Sequence, residues 1–366
     1  MKLTDIIIDK IRKNGPISFH DFMEMALYYP GLGYYTSHKE KFGKEGDYYT
    51  SVILSSLYGK MIGRQIEEMW MHMDKIPLTI VEYGAGTGAL STDILSRLKN
   101  NAPLYNDLNY YIIEKSESLR EVQQKENDDK ITWISSIEEI SGFNGVVITN
   151  EVLDNFAVHL VTMTDELMEI FVDYQDGFVE ILRPANADMK NHLTELNITL
   201  PENYRTEINL EAVKWMKEVA QHLGKGYVIT IDYGYTKNDF FSPTRSLGTL
   251  ACYYKHTITD TPYTHIGEKD ITAHINFSAL HLEGQKQGLE YAGYCNQNYF
   301  LRSLGLANHL REIEMESSGQ NRDALFQVNK LLLEMGDKFK VLIQRKGVKQ
   351  TPLSGMLFSP RNFPDH

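Results

Sequence analysis

The sequence predicts an α/β fold: an open, mostly parallel sheet with helices on both faces and an antiparallel strand near the C-terminus. Three observations lead there. The β-branched run Thr79-Ile80-Val81 enters a turn with glycines at alternate positions, Gly84, Gly86 and Gly88, and Leu90, Ile94 and Leu98 follow at helical spacing. From Leu78 onward strand-like runs alternate with helical stretches, a pattern that requires parallel pairing through crossover helices. At 366 residues, 42% of them hydrophobic, the chain can bury a sizeable core.

The elements follow in order. Ile6, Ile7, Ile11 and Ile17 frame an opening helix that ends at Asn14-Gly15-Pro16. Ser18 reads as the N-cap of a second helix, with Asp21 at its third position and Tyr29-Pro30-Gly31 as its stop. Between Tyr28 and Tyr49 the chain is dense in tyrosine and glycine, which fits a packed loop and equally the lining of a pocket. The core alternation then runs through strands at 79–83, 110–114, 131–134 and 146–150, with helices to Asn100 and from Ser118. Asp176-Gly177, between apolar runs at 171–173 and 178–182, predicts an inserted antiparallel hairpin. A helix with Val213, Met216, Ala220 and Leu223 on one face ends at Gly224 as its C′ residue. The strand at 227–231 delivers Asp232-Tyr233-Gly234 to the carboxyl edge of the sheet. The weakly periodic stretch from Tyr235 to about Lys269 reads as a substrate-side loop. A last strand at 339–343 precedes a hairpin-like turn at Arg345-Lys346-Gly347. The organisation is a helical cap over 1–76 and a core over 77–366, with insertions at about 157–206 and 235–330.

Composition removes several function classes. A net charge of −12 argues against an intrinsic surface for nucleic acid or anionic membrane, either of which needs clustered Lys and Arg. Cys252 and Cys295 are the only cysteines, so there is no disulfide framework or cysteine zinc site, and twelve histidines show no obvious ligand pair. No metal is expected. No apolar run is long enough to span a bilayer. Asp5 and Asp9 interrupt the opening isoleucines, unlike a signal peptide or a mitochondrial transit peptide. The expectation is a cytoplasmic protein with no membrane or nucleic-acid partner. The sequence gives no oligomer interface, and a homodimer stays open.

The glycine loop needs a ligand that lies against bare main chain at a helix N-terminus, which points to a nucleotide-like cofactor. With Ala89 the loop also satisfies Gly-x-Gly-x-x-Ala, so the glycines alone do not choose that cofactor. Glu82 does. Two places before the first glycine, its carboxylate repels a dinucleotide pyrophosphate and suits the ammonium end of S-adenosylmethionine. Glu114, at the end of the next strand, is placed to accept both ribose hydroxyls, a feature both cofactor classes share. The expected cofactor-binding set is Glu82, Gly84, Ala85, Gly86, Thr87, Gly88 and Glu114, joined by Asn150 and by Asp47 and Thr50 of the tyrosine-rich loop.

Several motifs, in this order, resemble the MidA-like methyltransferases. They are Gly46-Asp47-Tyr48-Tyr49-Thr50-Ser51, Glu82-Tyr83-Gly84-Ala85-Gly86-Thr87-Gly88 and Asn150-Glu151-Val152-Leu153-Asp154. Ile231-Asp232-Tyr233-Gly234, Gly248-Thr249-Leu250 and Asp270-Ile271-Thr272-Ala273-His274-Ile275-Asn276-Phe277-Ser278 complete the set. The glycine loop alone is common; the ordered set, from about Ile17 to Lys346, is specific. The resemblance implies a class I methyltransferase fold with a Rossmann-like sheet. Eukaryotic members are mitochondrial complex I assembly factors that symmetrically dimethylate an arginine of a complex I subunit, so it also implies an arginine-bearing protein substrate. One departure is Asp154-Asn155-Phe156-Ala157 where the family usually has Asp-Ala-Leu-Pro.

For such an acceptor the chemistry requires carboxylates that hold a charged, delocalised guanidinium by bidentate pairing. Glu151 and Asp154, just past a core strand, are the candidate clamp. Asp232 is the candidate further acceptor or base, and His274, with an ordinary pKa near neutrality, the candidate proton acceptor. Structural readings stand beside these: Asp154 as a helix cap, Glu151 paired with a lysine, His274 as a satisfied core histidine. The competing functions are a methyltransferase for a small molecule or another side chain, a cofactor-binding assembly chaperone without turnover, and a dinucleotide oxidoreductase, which Glu82 disfavours.

Overall fold

The computed structural model describes residues 2–37, 56–126, 129–255, 257–306, 308 and 336–365. Asp47, Thr50 and the rest of their loop lie outside these residues. The central sheet contains β1 (Thr79–Tyr83), β2 (Asn109–Ile113), β3 (Ile131–Ile134), β4 (Phe143–Asn150), β5 (Leu223–Tyr235), β6 (Glu290–Asn296) and β7 (Phe339–Lys346). Their spatial order is β3-β2-β1-β4-β5-β7-β6. The strands from β3 to β5 pair parallel, and β7 runs antiparallel to both β5 and β6. This is the class I methyltransferase fold that the sequence predicts.

The order follows from burial on both faces. Ile80, Val146, Ile148, Ile229, Ile231, Val341 and Ile343 face the layer built from helices Ser56–His72 and Ala89–Leu98. Their sequence neighbours Val81, Val147, Val228 and Leu342 face the opposite layer, with Trp215, Met216 and Val219 of helix Leu210–His222. Apolar side chains on both faces leave no polar alternation, as parallel sheets require. Strand order reverses between β1 and β4, which opens a crevice at their carboxyl ends where such folds bind ligands.

The chain segments around the sheet organise differently from the expected cap and core. Helices Leu3–Asn14 and Phe19–Tyr28 share one apolar core with both insertions: Ile7, Phe19, Phe22 and Met23 pack with Val158, Leu160, Ile170, Val172, Cys252 and Ile271. Ser18 caps the second helix as expected, its hydroxyl accepting the Asp21 N–H at 3.1 Å. Helix Ser56–His72 instead belongs to the sheet layer. The predicted hairpin is present as Leu167–Tyr174 and Phe178–Pro184, with Asp176 left-handed in its turn (φ 55°). It sits in a five-stranded sheet with Ile17–Ser18, His159–Met163 and Arg205–Ile208.

Three expectations need correction. Gly224 is not a left-handed C′ residue: Leu223 caps the helix in extended geometry and β5 begins at once. A Cβ at Gly224 would lie 2.9 Å from the Gly142 carbonyl oxygen, so close strand approach explains this glycine. The stretch after Tyr235 is not simply a loop. It contains a three-stranded sheet of Thr257–Thr259, Ala251–Tyr254 and Asp270–Thr272. Polar anchors hold it, which is why it lacks hydrophobic periodicity: the buried Lys269 ammonium donates to Thr261 O (2.7 Å), Thr264 Oγ1 (2.8 Å) and Thr259 Oγ1 (3.2 Å). At Arg345-Lys346 the chain does not turn, because β7 runs on to Lys346 beside β5. No described helix is long and apolar enough to cross a membrane.

Candidate active site

A cavity of about 460 Å³ opens over the carboxyl ends of β1, β2 and β4, within the ~300–1,000 Å³ typical of ligand sites. Gly84, Ala85, Gly86 and Thr87 form one wall. Gly84, Gly86 and Gly88 have φ of 63°, 55° and 82°, a left-handed region that side chains enter only at a cost. The Gly84 N–H donates to Ile113 O at 2.9 Å, tying the loop to β2.

Two carboxylates flank this bare backbone. Glu82 is buried, accepts the Tyr110 hydroxyl at 2.7 Å, and is pushed up to about 7 by burial. Glu114 accepts the Ser116 N–H at 2.9 Å and the Gln123 amide at 3.0 Å, and burial raises its pKa too. The Gln123 amide nitrogen also lies 2.9 Å from Gly86 O, and its oxygen accepts the Trp133 indole N–H at 2.9 Å. One buried glutamine thus locks the β2 carboxylate to the glycine loop. Acid at two strand ends with uncovered main chain between them fits a cofactor that has an ammonium at one end and a ribose diol further on.

The opposite wall begins where β4 ends. Glu151 is left-handed (φ 56°), an uncommon state for a non-glycine residue, and its N–H donates to Ile231 O at 3.0 Å. Asn150 donates its amide to Glu151 Oε1 at 3.2 Å and accepts the buried Tyr58 hydroxyl. Asp154 follows in the single turn Leu153–Asn155 and is buried at the cavity. Burial, then Asp232, Asp270 and Glu151, hold its carboxyl well above the usual range.

Asp232 does not line the cavity. Its Oδ2 accepts three successive N–H groups, from Val152 (3.3 Å), Leu153 (2.9 Å) and Asp154 (3.3 Å), and its Oδ1 accepts the Tyr233 N–H at 2.8 Å. Those bonds occupy the side chain with the backbone, so it positions the turn rather than meeting a substrate. Asp232, not Asp154, is the cap. His274 also lies outside the cavity, against Tyr233 and Tyr235 at ring separations of 6.0 and 5.2 Å. Burial, Arg245 and Lys340 pull its pKa down to about 4, so it is neutral.

The cavity wall also includes residues outside the expected set: Tyr28, Tyr35, Lys115, Tyr233, Tyr253 and Asp270. Tyr28 and Tyr35 come from the tyrosine-rich stretch whose pocket reading pointed toward them, and Asp270 opens a motif already singled out. Tyr58 and Gln123 had no local signal, since the partners that give them a role lie far along the chain.

Two outcomes test this geometry. Gly86→Val should leave the protein folded but abolish binding of S-adenosyl-homocysteine, because a β-branched residue at φ 55° is strained and its Cβ adds bulk to the bare wall; calorimetry showing undiminished affinity would refute the site. Glu82 gives a pH dependence. A cationic ligand group beside it favours the ionised carboxylate, so affinity should rise as pH increases through about 7. Glu82→Gln should flatten that profile, and a flat wild-type profile from about pH 6 to about pH 8 would exclude the pairing.

Comparison with known proteins accords with this geometry. Residues 61–295 match the family described as "Putative S-adenosyl-L-methionine-dependent methyltransferase". A crystal structure from Burkholderia thailandensis, bound to S-adenosyl-homocysteine, superposes with a TM-score of 0.89 at 31% identity, covering 98% of this chain and 95% of that one. The Homo sapiens protein arginine methyltransferase NDUFAF7, mitochondrial, is 25% identical over 90% of this chain and 80% of its own length. Its Drosophila melanogaster homolog, also named mitochondrial, is 24% identical over 93% and 84%. These names contradict the cytoplasmic expectation. The opening helix behind that expectation, with Asp5 and Asp9 among its isoleucines, packs Leu3, Ile7 and Ile11 into the fold, so its composition reports packing and not compartment. The chain belongs to the family of S-adenosyl-L-methionine-dependent methyltransferases.

Proposed function

We propose that this methyltransferase acts on the guanidinium of a protein arginine. The observation that carries this reading is the charge of the cavity. Beyond Glu82 and Glu114, its described lining includes Glu24, Glu151, Asp154, Glu211 and Asp270, against the single lysine Lys115, which pairs with Glu24. A wall so rich in carboxylates favours a cationic acceptor over a neutral one by charge complementarity. The names of the curated relatives support the same substrate class.

The cofactor supplies an electrophilic methyl on a sulfonium. The protein must hold the acceptor nitrogen in line with that methyl and exclude water, an orientation effect of up to ~7–11 kcal/mol in well-held systems. Glu151, at the end of β4, would accept guanidinium N–H groups, help localise the lone pair on the attacking nitrogen, and take the proton released as the N–C bond forms and the sulfonium S–C bond breaks. Asn150 orients Glu151 from behind. Asp154, its pKa raised by burial and by the carboxylates around it, lines the same wall of the cavity.

Glu151→Gln keeps the shape and removes the charge. Cofactor affinity should stay unchanged while transfer falls about ten- to a hundredfold, from one lost charge-assisted bond of roughly 1.5–3 kcal/mol. The assay transfers labelled methyl to cell extract, then identifies the modified residue after acid hydrolysis. Label only on residues other than arginine would refute the acceptor; an unimpaired Glu151→Gln enzyme would refute the role of Glu151.

A further inference from the structure

We propose that Asp270, positioned by the Tyr35 hydroxyl, is the residue that makes the acceptor pocket select a cation; this rests on the arginine reading above. Asp270 comes from a different part of the chain than the β4 carboxylates. It opens the strand Asp270–Thr272, pairs in register with Tyr253, and is only 2% exposed, so its backbone is fixed and its carboxylate sits in the cavity wall. The Tyr35 hydroxyl reaches both carboxylate oxygens, at 3.0 and 3.1 Å. A hydroxyl donor orients a carboxylate without cancelling its charge.

Tyr35 is itself held on two sides. Its ring stacks on Tyr28 at 5.6 Å, its carbonyl accepts the Ser116 hydroxyl at 2.6 Å, and Tyr28 in turn donates to Asn155 O at 3.2 Å. Ser116 is two residues beyond Glu114, so the same tyrosine bridges the cofactor-side strand end and Asp270. The Ala273 N–H donates to Asp154 O at 2.9 Å, which fixes the Asp270 strand against the turn that carries Asp154. Asp270 and Glu151 are among the carboxylates that, after burial itself, raise the pKa of Asp154.

The test titrates the peptide Gly-Gly-Arg-Gly-Gly, and its citrulline counterpart with a neutral urea of similar shape, into full-length protein saturated with S-adenosyl-homocysteine. Wild-type protein should prefer the arginine peptide by roughly tenfold or more. Asp270→Asn should bring the two within about threefold, with citrulline-peptide and cofactor-product affinities unchanged. That pattern separates selection of charge from a structural role, which would weaken both peptides alike. Tyr35→Phe should reduce the preference by a smaller factor. Full discrimination in Asp270→Asn overturns this inference alone. No discrimination in wild type overturns the arginine reading and this inference with it. If Asp270→Asn does not fold, Tyr35→Phe decides, and unchanged preference there overturns the inference.

Discussion

The cavity wall beyond β4 depends on one buried carboxylate that does not itself line the cavity. Asp232, at the end of β5, gathers the N–H groups of Val152, Leu153 and Asp154 onto a single oxygen. An unsatisfied charge so deeply buried would be strongly destabilising, and four backbone donors replace the lost water. Glu151, just before that turn, is left-handed, a strain of roughly 1–3 kcal/mol that persists only where surrounding structure over-determines it; its N–H donates to Ile231 O. Val152, in the same turn, packs where a Cβ on Gly84 would come within 2.8 Å of it. The turn therefore fixes Glu151 and Asp154 on one side and bears against the glycine loop on the other.

A second set of contacts assembles the remaining wall from distant parts of the chain. The N-terminal helices have no separate core: they pack into the insertions, and Tyr35 from that segment meets Asp270 from the second insertion. The Gly248-Thr249-Leu250 motif acts in the same way. Its main chain and the Thr249 hydroxyl donate to buried Glu207 at 2.9 to 3.1 Å, and Thr249 Oγ1 then accepts the His274 N–H at 3.0 Å. Residues that read as catalytic by motif thus divide into those that touch the cavity and those that hold the segments around it.

The sheet, the glycine loop and the position of the cofactor site were legible because each has a local cause: β-branched runs, alternate glycines, an acid at a strand end. Glu151 and Asp154 were legible as chain positions beyond β4, and both line the cavity. What sequence could not show is direction. Asp232 and His274 look like catalytic residues one residue at a time, yet long-range hydrogen bonds and ring packing turn them away from the cavity. Asp270, Tyr58 and Gln123 act through partners 235, 92 and 37 residues away, which no local pattern encodes. The small sheet around Lys269 was hidden because threonine oxygens, not an apolar stripe, anchor it.

The central claim is that Asp232 organises the acceptor carboxylates without touching either ligand. The most direct measurement is the methyl-transfer rate of Asp232→Asn at saturating S-adenosylmethionine, alongside its affinity for S-adenosyl-homocysteine. The amide turns one acceptor oxygen into a donor that must face a backbone N–H, so the turn should loosen. The account predicts a rate at least about tenfold lower, a barrier increase of ~1.4 kcal/mol or more, with affinity within about threefold of wild type. An unchanged transfer rate in the folded variant would contradict it.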